Sequence, residues 1–214
     1  MDVLCRSKSS AELVLPKSLL RTLMSMDQFA EQLIHGRTHI SPKRLGDPGP
    51  SPTQKETILL AANAAPDHGR MVPWRFIEIQ ESSRAALGEV FHQCLLDRDQ
   101  NATSIQQQEA RDKASRGPLL LLAIASYRDA NDDISKQEKL ISLGCAIQNI
   151  LLSAYAFGYG SGLSSGRALQ SDRIRELFQL TKDEEPICFI TIGTVQKNKP
   201  SRIRPCLSEY HSIF

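Results

Sequence analysis

The chain has 214 residues, of which 41% are hydrophobic and 23% are charged, and these values suit one soluble domain with a sizeable core. Its net charge of +2 argues against partners that require a strongly basic protein, namely nucleic acid and anionic membranes. The five cysteines form neither a Cys-x-x-Cys motif nor a metal-ligand cluster, which argues against a metal site and favours a reducing cytoplasm over secretion.

Residues 1–25 are interpreted as a flexible N-terminal extension. The stretch mixes basic, serine and leucine residues but lacks the hydrophobic core of a signal peptide. Two interpretations are favoured: a disordered extension, and an upstream start codon that precedes a true start at Met26. A targeting segment is the third alternative. The folded domain is therefore predicted to span residues 26–214.

Hydrophobic periodicity predicts both helices and strands in this domain. Helices are expected at about residues 26–35, 53–65, 82–97, 104–114, 134–157 and 170–180, and strands at about residues 74–80, 118–126 and 186–195. Between the first two helices, residues 41–52 hold four prolines and two glycines and are predicted to form a loop. Thr53 is expected to begin the second helix, where Glu56 completes a capping-box pattern.

Two stretches leave alternatives open. Residues 92–116 are rich in glutamine and in charge, which favours solvent-facing helices over a mobile cover above a pocket. Residues 140–157 are apolar nearly all round, so this helix is buried either in the core or between subunits. Polar residues interrupt the latter stretch, so no membrane span is predicted. Cys145 and Cys188 lie in apolar runs and are predicted to be core residues.

A loop at residues 65–76 is the most informative segment of the chain. It follows an apolar helical run and precedes an alternating, strand-like segment. His68 and Arg70 lie in this loop, where polar groups can reach a ligand held by the elements on either side. The chain's one tryptophan, Trp74, follows a proline here. Trp74 and Phe76 are predicted to be structural residues that pack the strand.

Three further segments add to the pattern. Residues 26–38 read as an amphipathic helix that ends at Gly36 and is followed by Arg37 and Thr38. The forked donors of Arg37 suit a phosphate group. Residues 144–166 read as a buried helix that is followed, at residues 161–166, by a turn rich in glycine and serine. Residues 187–194 read as an apolar strand that ends in Gly-Thr.

These four segments, in this order and at this spacing, resemble the FMN-dependent nitroreductase family, and within it the short YdjA-like branch. In that branch the first helix runs into Arg-Arg-Ser, the second ends in Ala-Pro-Asp-His before Pro-Trp-Arg-Phe, and the central helix begins Gly-Cys-Ala. The resemblance covers about residues 26–214. It implies an α+β, nitroreductase-like fold with a mixed, mostly antiparallel sheet flanked by helices. It also implies a homodimer whose two FMN sites lie at the subunit interface.

The resemblance assigns candidate cofactor-binding residues. Arg37 and Thr38 match the second and third residues of Arg-Arg-Ser, on the phosphate or ribityl side of FMN; a solvated arginine at a helix end is the alternative. His68 matches the histidine that meets the FMN bound mainly by the partner subunit, although a lone loop histidine is more often a surface residue. The turn that faces the flavin is matched by Leu163, Ser164 and Ser165.

A basic run near the C-terminus offers a further contact to the FMN phosphate. Family members often place a basic residue there, and a solvated tail is the equally weighted alternative. Arg204 is slightly favoured over the other basic residues of this run, which are Lys197, Lys199 and Arg202.

Three positions depart from the family's pattern. Gly36 stands where the family commonly has its first arginine. Ala64 stands where related chains can carry an arginine near the flavin. The pair Leu163-Ser164 replaces the Trp-Arg pair that related chains often have. Each departure removes a cation from the neighbourhood of the expected cofactor.

The function implied by the resemblance is that of an FMN oxidoreductase. NAD(P)H, the expected co-substrate, passes hydride to flavin N5 and leaves before an electron-poor acceptor such as a nitroaromatic or a quinone binds, in a ping-pong cycle. The flavin supplies this chemistry, so no protein residue is predicted to be catalytic. Because the sequence has no Gly-x-Gly-x-x-Gly turn, the nicotinamide is expected to stack over the flavin.

Two other hypotheses remain open. The losses at Gly36, Ala64 and Ser164 motivate a degenerate member that binds flavin weakly or not at all and acts as a non-redox binding protein. The other is a flavin enzyme that oxidises or dehalogenates one specific metabolite, for which NAD(P)H would be irrelevant.

Overall fold

The structure, a computed structural model, describes residues 25–128, 133–198 and 203–214. In chain order its elements are α1 (Met26–Gly36), β1 (Leu45–Gly46), α2 (Pro52–Leu60), β2 (Trp74–Glu78), α3 (Glu81–Leu96), α4 (Ser104–Asp112), β3 (Leu119–Ser126), α5 (Lys136–Ala156), β4 (Gly160–Ser164), α6 (Asp172–Leu177) and β5 (Glu184–Val195). The predicted extension up to residue 24, and Lys199 and Arg202 of the C-terminal basic run, lie outside the described residues.

The sheet is built around β5. This strand pairs antiparallel with β1, β3 and β4, and β2 pairs antiparallel with β3. An isolated bridge between His39 and Ser161 is parallel. The register of β3 against β5 shifts between Ala123 and Ile124, opposite Pro186, because a proline has no N–H to donate to the ladder. The predicted α+β fold with a mixed, mostly antiparallel sheet is confirmed.

Helices cover both faces of the sheet, and β3 shows the consequence for the sequence. A strand covered on both faces reads as a continuous apolar run, and β3 is buried along its first seven residues. Alternate side chains enter two separate clusters. Leu119, Leu121, Ala123 and Ala125 pack with residues of α2 and α5, whereas Leu120, Leu122 and Ile124 pack with residues of α3 and α6. Trp74 and Cys188 belong to the α5 cluster, as predicted.

α5 is a core helix with an exposed outer face. Its inner side chains, among them Leu143 and Ile150, are buried against the sheet. Among the described residues it is the one helix long and apolar enough to cross a membrane, a test that core helices also pass. On the outer face Ile141 is 64% exposed. A Cβ atom at Gly144 would meet nothing within 4 Å. The helix is therefore buried on one side only.

The predicted start of the second helix is wrong. Ser51, not Thr53, is the N-cap of α2, and Pro52 occupies the first helical position, where its missing N–H costs nothing. The capping box pairs Ser51 with Gln54: the Ser51 N–H donates to Gln54 Oε1 at 2.9 Å, and the Gln54 N–H donates to Ser51 Oγ at 3.3 Å. The helix ends at Leu60, and a 3₁₀ turn, Ala61–Ala64, follows.

The prediction of a turn at residues 161–166 is also wrong, because residues up to Ser164 belong to β4. Glycine is depleted in strands, which explains the error. In β4 the glycines serve close packing. A Cβ atom at Gly162 would overlap the carbonyl oxygen of Ile40, and one at Gly160 would lie 2.8 Å from a methyl carbon of Leu45.

Arg84 ties α3 to the start of β3. The residue is 3% exposed, and its guanidinium donates to the carbonyl oxygens of Gly117 at 2.6 Å and Pro118 at 2.9 Å. We expect Arg84→Met to lower the free energy of unfolding by about 3 kcal/mol, because two carbonyl groups lose a charged donor. Urea denaturation followed by circular dichroism measures this loss. The control is Arg173→Met, whose exposed ion pair should matter far less; equal losses would contradict the role given to Arg84.

Candidate functional site

Arg204 holds the C-terminal end of α1. Its Nη2 atom donates to the carbonyl oxygen of His35 at 2.6 Å and, at 3.4 Å, to that of Arg37. The last carbonyl groups of a helix lack partners within the helix, and a cation there also interacts favourably with the helix dipole. Arg204 therefore lies beside Arg37 and fixes the backbone from which the Arg37 side chain projects.

Gly36 allows α1 to approach α5 closely. A Cβ atom at position 36 would overlap the hydroxyl group of Tyr155 on α5. Any larger residue, including the arginine of the family's motif, would require Tyr155 to move. The departure at Gly36 thus has a packing reason in this chain.

The Arg37 side chain is partly buried and incompletely paired. Its Nε atom is buried, and no hydrogen-bond partner for it exists among the described residues. Buried polar atoms nearly always have partners, so an unpaired donor calls for an explanation. A guanidinium with an unpaired donor is suited to binding an anion. Thr38, next along the chain, is exposed.

The segment that follows Arg37 runs alongside β4. The Ile40 N–H donates to the Ser161 carbonyl oxygen at 2.9 Å, and His39 bridges Ser161 in parallel register. Extended back by two residues, this register places residue 159 level with Arg37. Leu163 lies four residues further along the chain, a distance of about 13 Å at 3.3 Å per residue. Leu163, Ser164 and Ser165 are exposed at that far end. One extended ligand can therefore contact both groups of residues.

Gly162 keeps these two segments together. A Cβ atom there would overlap the Ile40 carbonyl oxygen, a backbone atom that cannot rotate away. We expect Gly162→Ala to lower the free energy of unfolding by about 1–3 kcal/mol, the usual cost of overpacking. Gly166→Ala is the matched control, because its Cβ atom would meet nothing within 4 Å. Thermal unfolding of both variants measures the difference, and a Gly162→Ala variant as stable as Gly166→Ala would show that β4 and residue 40 can separate.

His68 lies in a loop whose backbone is strained. Val72 has a φ of 48°, a left-handed conformation that is rare for a β-branched residue and costs on the order of 1–3 kcal/mol. Asp67 stabilises it: Oδ1 accepts from the Met71 N–H at 3.1 Å and Oδ2 from the Val72 N–H at 2.8 Å. The aspartate of Ala-Pro-Asp-His therefore shapes the loop that presents His68.

Within one chain, His68 lies at the opposite end of α5 from Arg37. His68 Nδ1 is 2.9 Å from Glu138 Oε2 in the first turn of α5, and this hydrogen bond lowers the pKa of Glu138. Tyr155, which contacts position 36, lies in the last turn of the same helix. At 1.5 Å per residue these two turns are about 26 Å apart. The exposed Ala64 lies on the 3₁₀ turn Ala61–Ala64, before the His68 loop.

The predicted site residues therefore form two groups in one chain. The first, at the end of α1 and along β4, contains Gly36, Arg37, Thr38, Leu163, Ser164, Ser165 and Arg204. The second contains Ala64 and His68. The sequence does not mark Asp67 or Glu138 as site residues. Glu138 is 70 residues from His68 along the chain, so their contact is visible only in the structure. In the described ranges, no cluster of His, Cys, Asp or Glu side chains is placed to hold a metal ion.

A cavity of about 530 Å³ borders β4 on the sheet face opposite α5. Leu163 and Ser164 line it together with His39, a residue that the sequence analysis did not single out. The other wall comes from α3 and α4 within the polar stretch 92–116. That stretch is neither wholly solvent-facing nor loose: Ala110 is buried on the inner side of α4, and the outer side is exposed.

Comparison with known proteins gives one consistent result. The nitroreductase family model matches residues 38–194 of the chain. YdjA of Escherichia coli strain K12, which carries a provisional designation as an NAD(P)H nitroreductase, is 31% identical over 166 residues. That match covers 78% of this chain and 87% of YdjA.

Solved structures share the fold. A nitroreductase-like family protein from Bacillus cereus superimposes with a TM-score of 0.75 at 19% identity, covering 90% of this chain and 97% of that protein. The FMN-dependent nitroreductase NfnB from Mycobacterium smegmatis, determined in complex with NADPH, gives a TM-score of 0.69 at 14% identity and covers 88% of this chain and 99% of NfnB. At these identities the likeness concerns the fold.

Proposed function

Because the chain belongs to the nitroreductase family, we propose that it is an FMN-dependent oxidoreductase that takes electrons from NAD(P)H and passes them, in a ping-pong cycle, to an electron-poor acceptor such as a nitroaromatic or a quinone. Bound FMN would supply the hydride chemistry at its N5 atom. The observation that carries the proposal is the buried, unpaired Nε atom of Arg37 at the end of α1. From its cysteine usage we expect a cytoplasmic enzyme.

The residues at the end of α1 fit the phosphate end of FMN. Arg37 offers an unpaired donor, and a phosphate oxygen is a strong acceptor. Arg204 adds a second positive charge next to it, and Thr38 adds a hydroxyl group. We propose that Arg37 binds the phosphate directly and that Arg204 mainly holds the end of α1 in place.

The residues at the end of β4 fit the polar edge of the isoalloxazine ring. Ser164 and Ser165 carry hydroxyl groups that both donate and accept hydrogen bonds, as the carbonyl and N–H groups of that edge require. Leu163 adds apolar surface, and all three are exposed. Leu163 lies about 13 Å from the level of Arg37 along the strand, which allows one elongated cofactor to contact both ends.

We propose that His68 reaches this site from a second copy of the chain. The phosphate end of an FMN held by Arg37 would lie far from the His68 of the same chain, since the two ends of α5 are about 26 Å apart. Antiparallel packing of α5 against the α5 of a partner would place the beginning of one helix beside the end of the other. Each of two identical sites would then take its phosphate contact from one chain and His68 from the other.

The surface of the molecule supports such a homodimer. α1 has an apolar side but contains no buried residue, and Phe29 and Ile34 on it are 45% and 49% exposed. Ile141 and Gly144 leave the outer face of α5 apolar and open. Adjacent apolar helices exposed to water mark an interaction surface. Pairing with a second copy would bury this surface and complete both sites.

A flavin-free binding protein is the second candidate function. Two observations favour it: the Arg204 guanidinium already donates to backbone carbonyl groups, and Ala64 and Ser164 offer no cation in place of the arginines of related chains. In that case Arg37 would be the one cation of the first group free to bind phosphate.

A visible absorption spectrum of the purified protein, taken before and after addition of FMN and desalting, distinguishes the two candidates. We expect retained flavin peaks that bleach on anaerobic mixing with NADH or NADPH in a stopped-flow instrument. A colourless protein that cannot be reconstituted at micromolar concentration would rule out the oxidoreductase. Retained flavin that neither nucleotide bleaches would rule out NAD(P)H as the reductant and favour an enzyme acting on one metabolite.

A further inference from the structure

The cavity beside β4 has the dimensions of a small-molecule site. Its volume of about 530 Å³ lies within the range of roughly 300–1,000 Å³ that is usual for ligand pockets. Phe91, Leu120 and Phe189 give it an apolar, partly aromatic lining. This cavity is separate from the α1 and α5 surface proposed for dimer formation, because it lies on the opposite face of the sheet.

Basic side chains dominate the polar lining of the cavity. Four basic residues, Arg98, Lys113, Arg116 and Arg167, line the cavity together with a single acidic residue, Glu109. The chain as a whole has 26 basic and 24 acidic residues, so the imbalance is local to the cavity. A local excess of positive charge at a concave surface concentrates anions there.

These basic groups are available to a ligand. Arg98 uses its Nε atom to donate to the Cys94 carbonyl oxygen at 2.9 Å. Lys113, Arg116 and Arg167 make no side-chain hydrogen bond and no ion pair within the part of the chain that the structure describes. Arg173, by contrast, is already engaged in an ion pair with Asp97.

The α4 wall of the cavity is held firmly against α3. Buried His92 on α3 lies 3.1 Å from Gln107 Oε1 on α4, and Arg111 of α4 donates to Glu89 of α3 at 3.1 Å. Hydrogen bonds from Gln93, His92 and Arg111 lower the pKa of Glu89 to about 2, so this carboxylate stays ionised at physiological pH. The cavity is therefore formed before any ligand binds, which reduces the entropy lost on binding.

The cavity also meets the strand proposed to contact the flavin. Leu163 and Ser164 of β4 line the cavity and belong to the candidate cofactor site. A molecule whose acidic group lies among the basic residues could therefore reach the cofactor with its other end.

We propose that this cavity binds the acidic end of the electron acceptor, and that the acceptor is a small aromatic compound bearing a carboxylate or a phosphate. The redox role of the ligand rests on the proposed function. Its binding does not. Guanidinium and ammonium groups would pair with the acid, and the apolar lining would accommodate the ring.

A pair of nitroaromatic probes tests the charge preference directly. 4-Nitrobenzoate and the neutral 4-nitrobenzamide share size, shape and nitro group but differ in charge. Calorimetric titration of the purified protein, with whatever flavin it retains, should show at least ten-fold tighter binding of the acid at low salt, and the difference should shrink as ionic strength rises. Equal affinities for acid and amide would overturn the inference.

Substitutions of single basic residues test whether the acid binds in this cavity. Lys113→Gln and Arg167→Gln should each weaken binding of the acid by about three- to ten-fold and leave the amide unaffected. Lys182→Gln removes the same charge at an exposed position outside this cavity and should change neither affinity. Losses in Lys182→Gln that match those in Lys113→Gln would reveal a nonspecific effect of net charge and contradict the inference.

Two further readouts separate this inference from the proposed function. Arg167→Gln should retain FMN as the wild type does; a loss of flavin would mean that the basic residues serve the cofactor phosphate, and the inference would be wrong. In turnover with NAD(P)H, the wild type should show a lower KM for the acid than for the amide. If the protein holds no flavin, the proposed function fails, and the titrations still decide whether the cavity selects anionic aromatic ligands.

Discussion

Arg37→Ala is expected to raise the dissociation constant for FMN by about 100-fold and to yield a protein that loses its colour on desalting. Two charge-assisted hydrogen bonds of about 1.5 kcal/mol each give about 3 kcal/mol, which corresponds to that factor. Flavin fluorescence titration of the apoprotein measures the dissociation constant. Little stability should be lost, less than about 0.5 kcal/mol, since the Nε atom has no partner among the described residues.

Two companion variants sharpen this experiment. Arg37→Lys keeps the charge but loses the forked geometry, so it should bind FMN with intermediate affinity. Arg173→Ala removes an exposed arginine that pairs with Asp97 and belongs to neither group of candidate site residues, so this variant should bind FMN as the wild type does. Wild-type flavin retention in Arg37→Ala would contradict the phosphate role of Arg37.

Ile141→Asp is expected to dissociate the proposed homodimer and to remove the flavin at the same time. A carboxylate within an apolar interface loses its hydration without gaining a partner, which costs several kcal/mol. We expect the dimer dissociation constant to rise at least about 1,000-fold, equivalent to about 4 kcal/mol. Sedimentation velocity at micromolar concentration measures the oligomeric state, and absorbance in the visible range measures the bound cofactor.

The chain offers a matched control for this experiment. Ile105 on α4 is 72% exposed, similar to the 64% of Ile141, but lies outside α1 and α5. Ile105→Asp should leave both the dimer and the flavin content unchanged. A monomeric Ile141→Asp protein that still binds FMN with wild-type affinity would show that each site is complete within one chain, and His68 would then have no role in binding.

Much of the fold was predictable from periodicity, and the errors have physical causes. The apolar run of β3 and the nearly uniform α5 indicate elements covered by others, and both lie close to their predicted bounds. β4 was missed because its glycines are required by the closeness of Ile40 and Leu45, which are remote in sequence. The start of α2 was misplaced because Ser51 and Thr53 both precede a residue able to complete a capping box, and Pro52 decides between them.

The candidate site was only partly predictable. Motif matching selected Arg37 and His68, and in the structure the Arg37 Nε atom is buried without a partner among the described residues. Contacts between distant segments were not visible in the sequence: Glu138 beside His68, and Tyr155 beside Gly36. The basic cavity was also hidden, because its lining comes from several elements and no single stretch shows the excess of charge.

The placement of Arg37 and His68 at opposite ends of α5 would make activity depend on how much of the protein a cell contains. If every complete site draws on two chains, the number of sites at low abundance grows with the square of the chain concentration. A ten-fold increase in synthesis would then raise catalytic capacity by up to about 100-fold, until pairing saturates. Extracts assayed at high dilution would understate the rate in the cell, and the shortfall would disappear on concentrating the sample.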